Sequence, residues 1–242
     1  MLGPVEFVDE VDSTNRVLLD RARDGAPHGL VLVADHQTGG RGRLDRRWEA
    51  QPGAALLVSV LLRPELAVDR LHLLTVAAAL AAREACAEVA GVSPELKWPN
   101  DLLLDRDGVP AKLAGLLAES IVDGERAAAV VIGMGLNLRS AKMPEGAVAL
   151  DDMTDQRVDR DRLLDCWLHA FGRRLGIWDE STLLADYRAA CSTIGKSVRV
   201  DLPGRLLQGV AVGVDDDARL ELQTPNGSEV VAAGDVVHLR RV

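Results

Sequence analysis

The hydrophobic pattern changes its period once, near Gly195, and this change limits the possible folds more than any other feature. Up to about residue 190, short β-rich runs alternate with helical patterns; from 196 to 242 every apolar run is brief and strand-like. Val31-Leu32-Val33-Ala34 and Leu56–Leu62 are short and bounded by turn signals, as buried strands are. Asp69–Ala90 reads as an alanine-rich helix capped by Asp69 and stopped by Gly91, with Leu73, Val76, Ala77 and Leu80 on its core face. Leu102–Leu104 and Leu113–Glu119 read as strands joined by a turn over Arg106–Pro110, and Ala128–Gly133 as a further buried strand. Helices are expected over Arg160–Trp178 and Ser181–Cys191, the second with Ser181 as its N-cap. Beyond the change, strands are expected at Val198–Leu202, Gly209–Val214, Arg219–Gln223, Glu229–Ala232 and Val236–Arg240, with turns at Pro203-Gly204 and Pro225-Asn226-Gly227. The expected architecture is an α/β domain over residues 1–192 followed by a small all-β barrel over 193–242.

Composition narrows the function classes. A chain of 242 residues can build one or two domains around a sizeable core without disulfide staples. The net charge of −9 opposes non-specific binding to nucleic-acid backbones or anionic lipid. Cys86, Cys166 and Cys191 are too few and too scattered for a disulfide framework or a zinc knuckle. His28, His36, His72, His169 and His238 have no metal-ligand spacing. The N-terminus has no basic start or apolar core of a secretory signal, and the longest apolar stretch, near Leu71–Ala82, is too short to span a bilayer. A cytoplasmic protein is expected.

Against this acidic background the segment Gly39-Gly40-Arg41-Gly42-Arg43-Leu44-Asp45-Arg46-Arg47-Trp48 packs four arginines into seven residues. Glycines let backbone N–H groups approach a ligand, and guanidinium forks grip phosphate or carboxylate oxygens. The glycine spacing fits neither a Walker A loop nor a dinucleotide fingerprint. In Lys97-Trp98-Pro99-Asn100-Asp101, proline stiffens a turn that aims Lys97, Asn100 and Asp101, and Asp101 is a candidate for Mg²⁺ shared with substrate phosphates. Lys112 opens the apolar run Lys112-Leu113-Ala114-Gly115. Gly133-Met134-Gly135-Leu136-Asn137-Leu138 ends a buried strand, where a bulge would explain its glycines equally well. Ser13-Thr14-Asn15 also fits a plain helix N-cap.

Taken in order, Ser-Thr-Asn, Gln-Thr-Gly-Gly-Arg-Gly-Arg, Lys-Trp-Pro-Asn-Asp, Lys-Leu-Ala-Gly and Gly-Met-Gly-Leu-Asn-Leu resemble the biotin protein ligase family from about Val8 to the C-terminus. The resemblance implies a catalytic domain related to class II tRNA synthetases, with a mixed sheet and helices, followed by an SH3-like barrel. It implies a reaction in which biotin and ATP, with Mg²⁺, form biotinyl-5′-AMP, and a lysine of a biotin carboxyl carrier domain then takes the biotin. Ser13, Thr14, Asn15, Gln37, Gly40, Arg41, Arg43, Lys112 and Gly115 match the biotin-binding positions. Arg41, Arg43, Trp48, Lys97, Asn100, Asp101, Lys112 and Asn137 match the nucleotide-binding ones, Asp101 with the metal, and Arg43 and Lys112 would be catalytic.

Two departures stand out. The family loop commonly has glycine where Asp45 stands, and only twelve residues precede Ser13, too few for the winged helix of the repressor members. A ligase without operator binding, monomeric or weakly dimeric, is expected, with an arginine loop that orders only on a bound anion. A lipoate or octanoate ligase of the same fold and a non-catalytic biotin-sensing or nucleic-acid-binding protein are the rival readings.

Overall fold

The computed structural model describes residues 2–44, 46–124 and 126–239. Its first sheet has seven strands in the order β1-β2-β3-β7-β6-β5-β4. These are β1 (Val5–Val11), β2 (Val31–Gln37), β3 (Ala55–Leu62), β4 (Glu95–Lys97), β5 (Asp101–Arg106), β6 (Val109–Asp123) and β7 (Arg126–Asn137). Only β1 and β2 run parallel, joined by α1 (Thr14–Arg23); every other pairing is antiparallel. Helices α2 (His72–Ala90), α3 (Arg160–Gly176) and α4 (Glu180–Ala190) follow. The sheet is mixed and flanked by helices, as expected. Strands β1 and β4 were not expected: three acids hide the alternation of β1, and β4 has only three residues.

Strand alternation sorts the sheet into two faces. Val130, Ile132, Met134 and Leu136 of β7, with Leu56, Val58, Val60 and Leu62 of β3, join the large core under α2, α3 and α4. Leu61, Ala129 and Val131 face the other way, into a small cluster with Leu18, Leu19 and Ala22 of α1. Helix α2 buries eleven residues rather than one stripe, because α3 covers its back and Trp167 Nε1 donates to Ala78 O at 3.1 Å.

Helix starts differ from expectation by their caps. Asp69 lies in a short 3₁₀ turn, Val68–Arg70, and α2 begins after Leu71 without a side-chain cap. Ser181 is inside α4; Asp179 caps it, accepting from the N–H groups of Ser181 (3.1 Å) and Thr182 (3.4 Å). The turn between β5 and β6 is only Asp107-Gly108, both at positive φ (55° and 80°), so Val109 and Pro110 already belong to β6.

After α4 come β8 (Ser197–Leu202), β9 (Arg205–Val214), β10 (Leu220–Thr224), β11 (Gly227–Val231) and β12 (Asp235–His238). They form an antiparallel sheet in the order β11-β10-β9-β8-β12. Its end strands, β11 and β12, are not paired to each other among the described residues, so the ladder is open where a closed barrel was expected. The expected strand end at Arg240 lies outside the described residues.

This sheet is bolted to the first. Arg188 Nε donates to Val214 O (2.6 Å), Arg70 pairs with Glu180 and Asp217, and the buried Trp98 donates from Nε1 to Ala218 O (2.9 Å). A second tie runs from Trp98 N–H to Thr193 Oγ1 (3.0 Å), which lies 3.1 Å from His238 Nε2. Thr193 accepts from Trp98, and its hydroxyl can still donate to a neutral imidazole or accept from it. Burial, with Lys97 and Lys196 nearby, pushes His238 down to about 4. The unfolded chain binds a proton at this histidine below about 6.5 while the folded one does not, so stability falls as pH drops from 6.5 toward 4. His238→Gln keeps an acceptor but does not titrate. Its melting temperature is expected to fall less than that of the unmodified protein across this window; equal slopes in thermal melts would remove His238 from the account.

Candidate functional site

On the α1 face, the residues of β7 shrink along the strand: Ala129 and Val131 pack under α1, and Gly133 and Gly135 follow them. A Cβ at Gly133 would collide with Asn15, whose Cγ would lie 2.9 Å away, and one at Gly135 would strike the Trp48 indole, with Nε1 at 2.7 Å. Gly115 pairs with Gly135 across the β6–β7 ladder, and its own Cβ would come within 3.1 Å of Lys112 Nζ. The sheet thus has a bare floor where every neighbouring strand position carries a side chain.

A bulge in β6 sets the lysine over this floor. Leu102 pairs with Ala114 but Leu103 with Lys112, so Leu113 is an extra residue. Leu113 and Ala114 both turn into the core, and Lys112 and Gly115, three apart, share the open face. Without the bulge, period-two alternation would put them on opposite faces.

The neutral wall comes from α1 and β2. Gln37 Oε1 accepts from Thr14 N (2.7 Å) and Thr14 Oγ1 (3.0 Å), which leaves the Gln37 Nε2 amide as the free donor. Ser59 Oγ, fully buried in the otherwise apolar β3, lies 2.7 Å from Thr14 Oγ1 and 2.6 Å from Asn15 Oδ1, and its one proton is shared between them. Asn15 Nδ2 donates to Leu117 O (3.2 Å) and Glu119 Oε2 (2.9 Å), and Arg41 Nη2 donates to the same oxygen at 3.0 Å. Thr14, Ser59 and Asn15 are all buried and hydrogen-bonded to one another or to Gln37 and Glu119, and stranding one of these groups would cost about 1–3 kcal/mol.

The arginine loop arches over the floor. Gly42 N donates to Arg46 O (2.7 Å) and Trp48 N to Gly40 O (3.0 Å), and a Cβ at Gly40 would fall on the Trp48 carbonyl. Leu44 takes the left-handed conformation at the tip (φ 55°), while Asp45 lies outside the described residues. Arg43 Nη1 reaches Asn100 Oδ1 (3.2 Å) and Gly234 O (3.4 Å), and Arg46 pairs with Asp235. The loop makes contacts to β6 through Glu119, to the turn before β5 through Asn100, and to the C-terminal sheet through Gly234 and Asp235. Trp48 lies across the glycine floor with its Nε1 buried and unpartnered, and Lys112 Nζ sits 5.8 Å from the ring centroid.

Together these walls enclose a cavity of about 130 Å³. Among the described residues, Arg41, Arg43, Arg46, Arg47, Lys97 and Lys112 line it together with two carboxylates, Asp101 and Asp235. Asp101 Oδ1 pairs with Lys112 Nζ at 2.6 Å. Burial lowers the proton affinity of both Arg43 and Lys97, while Asp101 and Asp235 partly restore it. Desolvated, under-neutralised cations of this kind attract an anion. Among the described residues no three of His, Cys, Asp or Glu converge on one point, so the protein itself offers Mg²⁺ little more than Asp101.

Residues 7–137 match the model of the biotin/lipoate A/B protein ligase family, and residues 193–239 match the biotin protein ligase C-terminal domain. The biotin–[acetyl-CoA-carboxylase] ligase of Mycobacterium tuberculosis is 41% identical, over 98% of this chain and 89% of that protein. The chain belongs to the biotin protein ligase family. The bifunctional ligase/repressor BirA of Bacillus subtilis is 30% identical over 95% of this chain and 72% of its own length. A biotin protein ligase from Aquifex aeolicus, solved with biotin and ATP, superposes with a TM-score of 0.82 at 26% identity, covering 99% of this chain and 100% of that one.

Against the family motifs, Ser13, Thr14, Asn15, Gln37, Arg41, Arg43, Trp48, Lys97, Asn100, Asp101, Lys112 and Gly115 all line the one cavity. Gly40 stands just outside, where it lets the loop fold onto Trp48. Asn137 is elsewhere: it is buried, and its Nδ2 donates to Lys112 O (3.3 Å) and Val148 O (3.2 Å), which clips β7 to the bulged strand. Of the Gly-Met-Gly-Leu-Asn-Leu motif, the glycines meet the cavity and the asparagine does not. Ser59, Glu119, Gly234 and Asp235 were not expected from the motifs. Ser59 carried a signal, as the lone hydroxyl in a leucine-valine strand; Asp235, far along the chain, carried none. Gly133→Ala is expected to keep the fold but weaken biotin binding at least tenfold, because Asn15 must move; unchanged binding by calorimetry would show that the close approach is incidental.

Proposed function

We propose that the protein activates biotin with ATP to biotinyl-5′-AMP and transfers the biotin to a lysine of a biotin carboxyl carrier domain. One observation carries this reading: a single cavity has a neutral polar end and a cationic end, joined by a side-chain-free floor. Biotin is an apolar bicycle with a polar ureido edge and a carboxylate on a short chain. Ser13, Thr14 and the free Gln37 amide suit the ureido edge, and bare strand backbone at Gly133 and Gly135, about 7 Å apart, suits the apolar middle.

At the other end Arg43 and Lys112 receive the carboxylate and the α-phosphate. Both are anions, and their approach is opposed until cations neutralise the oxygens. The carboxylate oxygen attacks the α-phosphorus and pyrophosphate leaves, with Lys97 and Asn100 placed toward the phosphates. Asp101, which holds the Lys112 ammonium at 2.6 Å, is the carboxylate that would hold a Mg²⁺ ion accompanying ATP, and that ion would supply further positive charge to the phosphate oxygens. Trp48, already flat on the floor, offers an indole face to adenine. In the second step the carrier amine attacks the acyl carbon and AMP departs; positive charge around the phosphate stabilises that leaving group as well.

The domain division at 192/193, an SH3-like character of the C-terminal sheet, and kinship of the first sheet with class II tRNA synthetases belong to the same reading. So do action in the cytoplasm as a monomer or weak dimer and the absence of DNA binding, which the net charge of −9 favours. No helix among the described residues is long and apolar enough to cross a membrane.

Lys112→Ala should lower biotin-dependent ATP–pyrophosphate exchange by about 100-fold or more while the far-ultraviolet spectrum is unchanged. Wild-type exchange in that variant would take Lys112 out of the chemistry. Incubating the unmodified protein with biotin, ATP and a carrier domain should add one biotin mass to a single carrier lysine; no added mass would refute the reading.

A further inference from the structure

Glu119 belongs to none of the motifs, yet it ends the polar chain that begins at Gln37. Hydrogen bonds run from Gln37 through Thr14, Ser59 and Asn15 to Glu119 and on to Arg41. Since Arg41 follows Gln37 by only four residues, the chain closes into a ring around the root of the arginine loop. Glu119 is its one anion. A single oxygen, Oε2, takes both Asn15 Nδ2 (2.9 Å) and Arg41 Nη2 (3.0 Å), although the carboxylate is only 23% exposed.

The position gives this bridge a task. Arg41 and Leu117 line the cavity on one side and an open groove beneath the loop on the other, and Glu119 faces the groove. The loop as a whole separates cavity from groove, and the Arg41–Glu119 bridge is the part of that boundary tied to Asn15 at the neutral end. Two other arginines of the loop are held elsewhere, Arg43 by Asn100 and Gly234, Arg46 by Asp235. At the neutral end Glu119 is, among the described residues, the carboxylate that offsets the Arg41 charge.

We propose that Glu119 is a positioning residue that holds Arg41 across the neutral end of the cavity and so sets how tightly biotin is retained. It touches neither reacting atom. The inference rests on the biotin-ligase reading and adds to it the coupling between the ureido-binding wall and the loop. Glu119→Gln preserves the shape and an acceptor for Asn15 but removes the charge that holds Arg41. An ion pair this exposed on the arginine side is worth a modest amount, so the expected effect is selective rather than large.

In biotin-dependent ATP–pyrophosphate exchange, Glu119→Gln should raise the KM for biotin about fivefold, with kcat and the KM for ATP within twofold and an unchanged melting temperature. In an Arg41→Met background the same substitution should add less than twofold, because the partner it positions is already gone. A fall in kcat at unchanged biotin KM, multiplicative effects in the double variant, or a wild-type KM in Glu119→Gln would each overturn the inference. Unmodified protein that gives no biotin-dependent exchange would overturn the functional reading, and this inference with it.

Discussion

The site depends on a patch of β-sheet that carries no side chains. On the α2 side the central strands are paved with leucine, valine and isoleucine, and close packing there leaves no room for a ligand. On the opposite face α1 covers only part of the sheet, and where it stops, Gly115, Gly133 and Gly135 present backbone without a Cβ. Here the neighbours already use the space: Asn15 and Trp48 rest against the glycines at distances that exclude a Cβ.

Charge is arranged around that patch so that the fold tolerates it. Six cationic side chains facing one small cavity would repel one another, and the acidic partners are spaced to hold them: Asp101 on Lys112, Asp235 on Arg46, Glu119 on Arg41. The pairs are partly exposed and individually weak, so a phosphate or carboxylate can exchange for them without unfolding anything. Two of the contacts that seat the loop come from Gly234 and Asp235, which lie beyond the change in periodicity. The C-terminal sheet therefore supplies part of the cavity wall, and the ties through Trp98, Thr193 and His238 hold that sheet in place.

Much of this was legible in the residues. Buried strands β2, β3 and β7 and helices α2, α3 and α4 announce themselves by apolar runs of the right length and period, and the glycine-arginine loop stands out against an acidic chain. Strand β1 was hidden because an edge strand needs no apolar alternation, and its acids suit an exposed edge. Helix caps were misplaced where a nearby aspartate offered a better acceptor than the serine. The motif gave no hint that Asn137 ties strand backbone together rather than lining the cavity, because a motif records which residues occur together and not which way each one faces.

The amino-acid order by itself determined the type of each long element, the change of architecture near Gly195, and the chemical kinds of group available for binding: guanidinium, ammonium, amide and bare backbone. These are local properties, set by side-chain spacing and backbone freedom. Only the tertiary structure decided that the extra residue Leu113 turns Lys112 and Gly115 to the same face, that Ser59 and Glu119 complete a polar ring, and that Asp235 meets Arg46 across the molecule. The reason is register and docking. A bulge shifts which face a side chain takes, and a contact between residues far apart in sequence exists only once two sheets have packed, so neither has a signature in composition or periodicity.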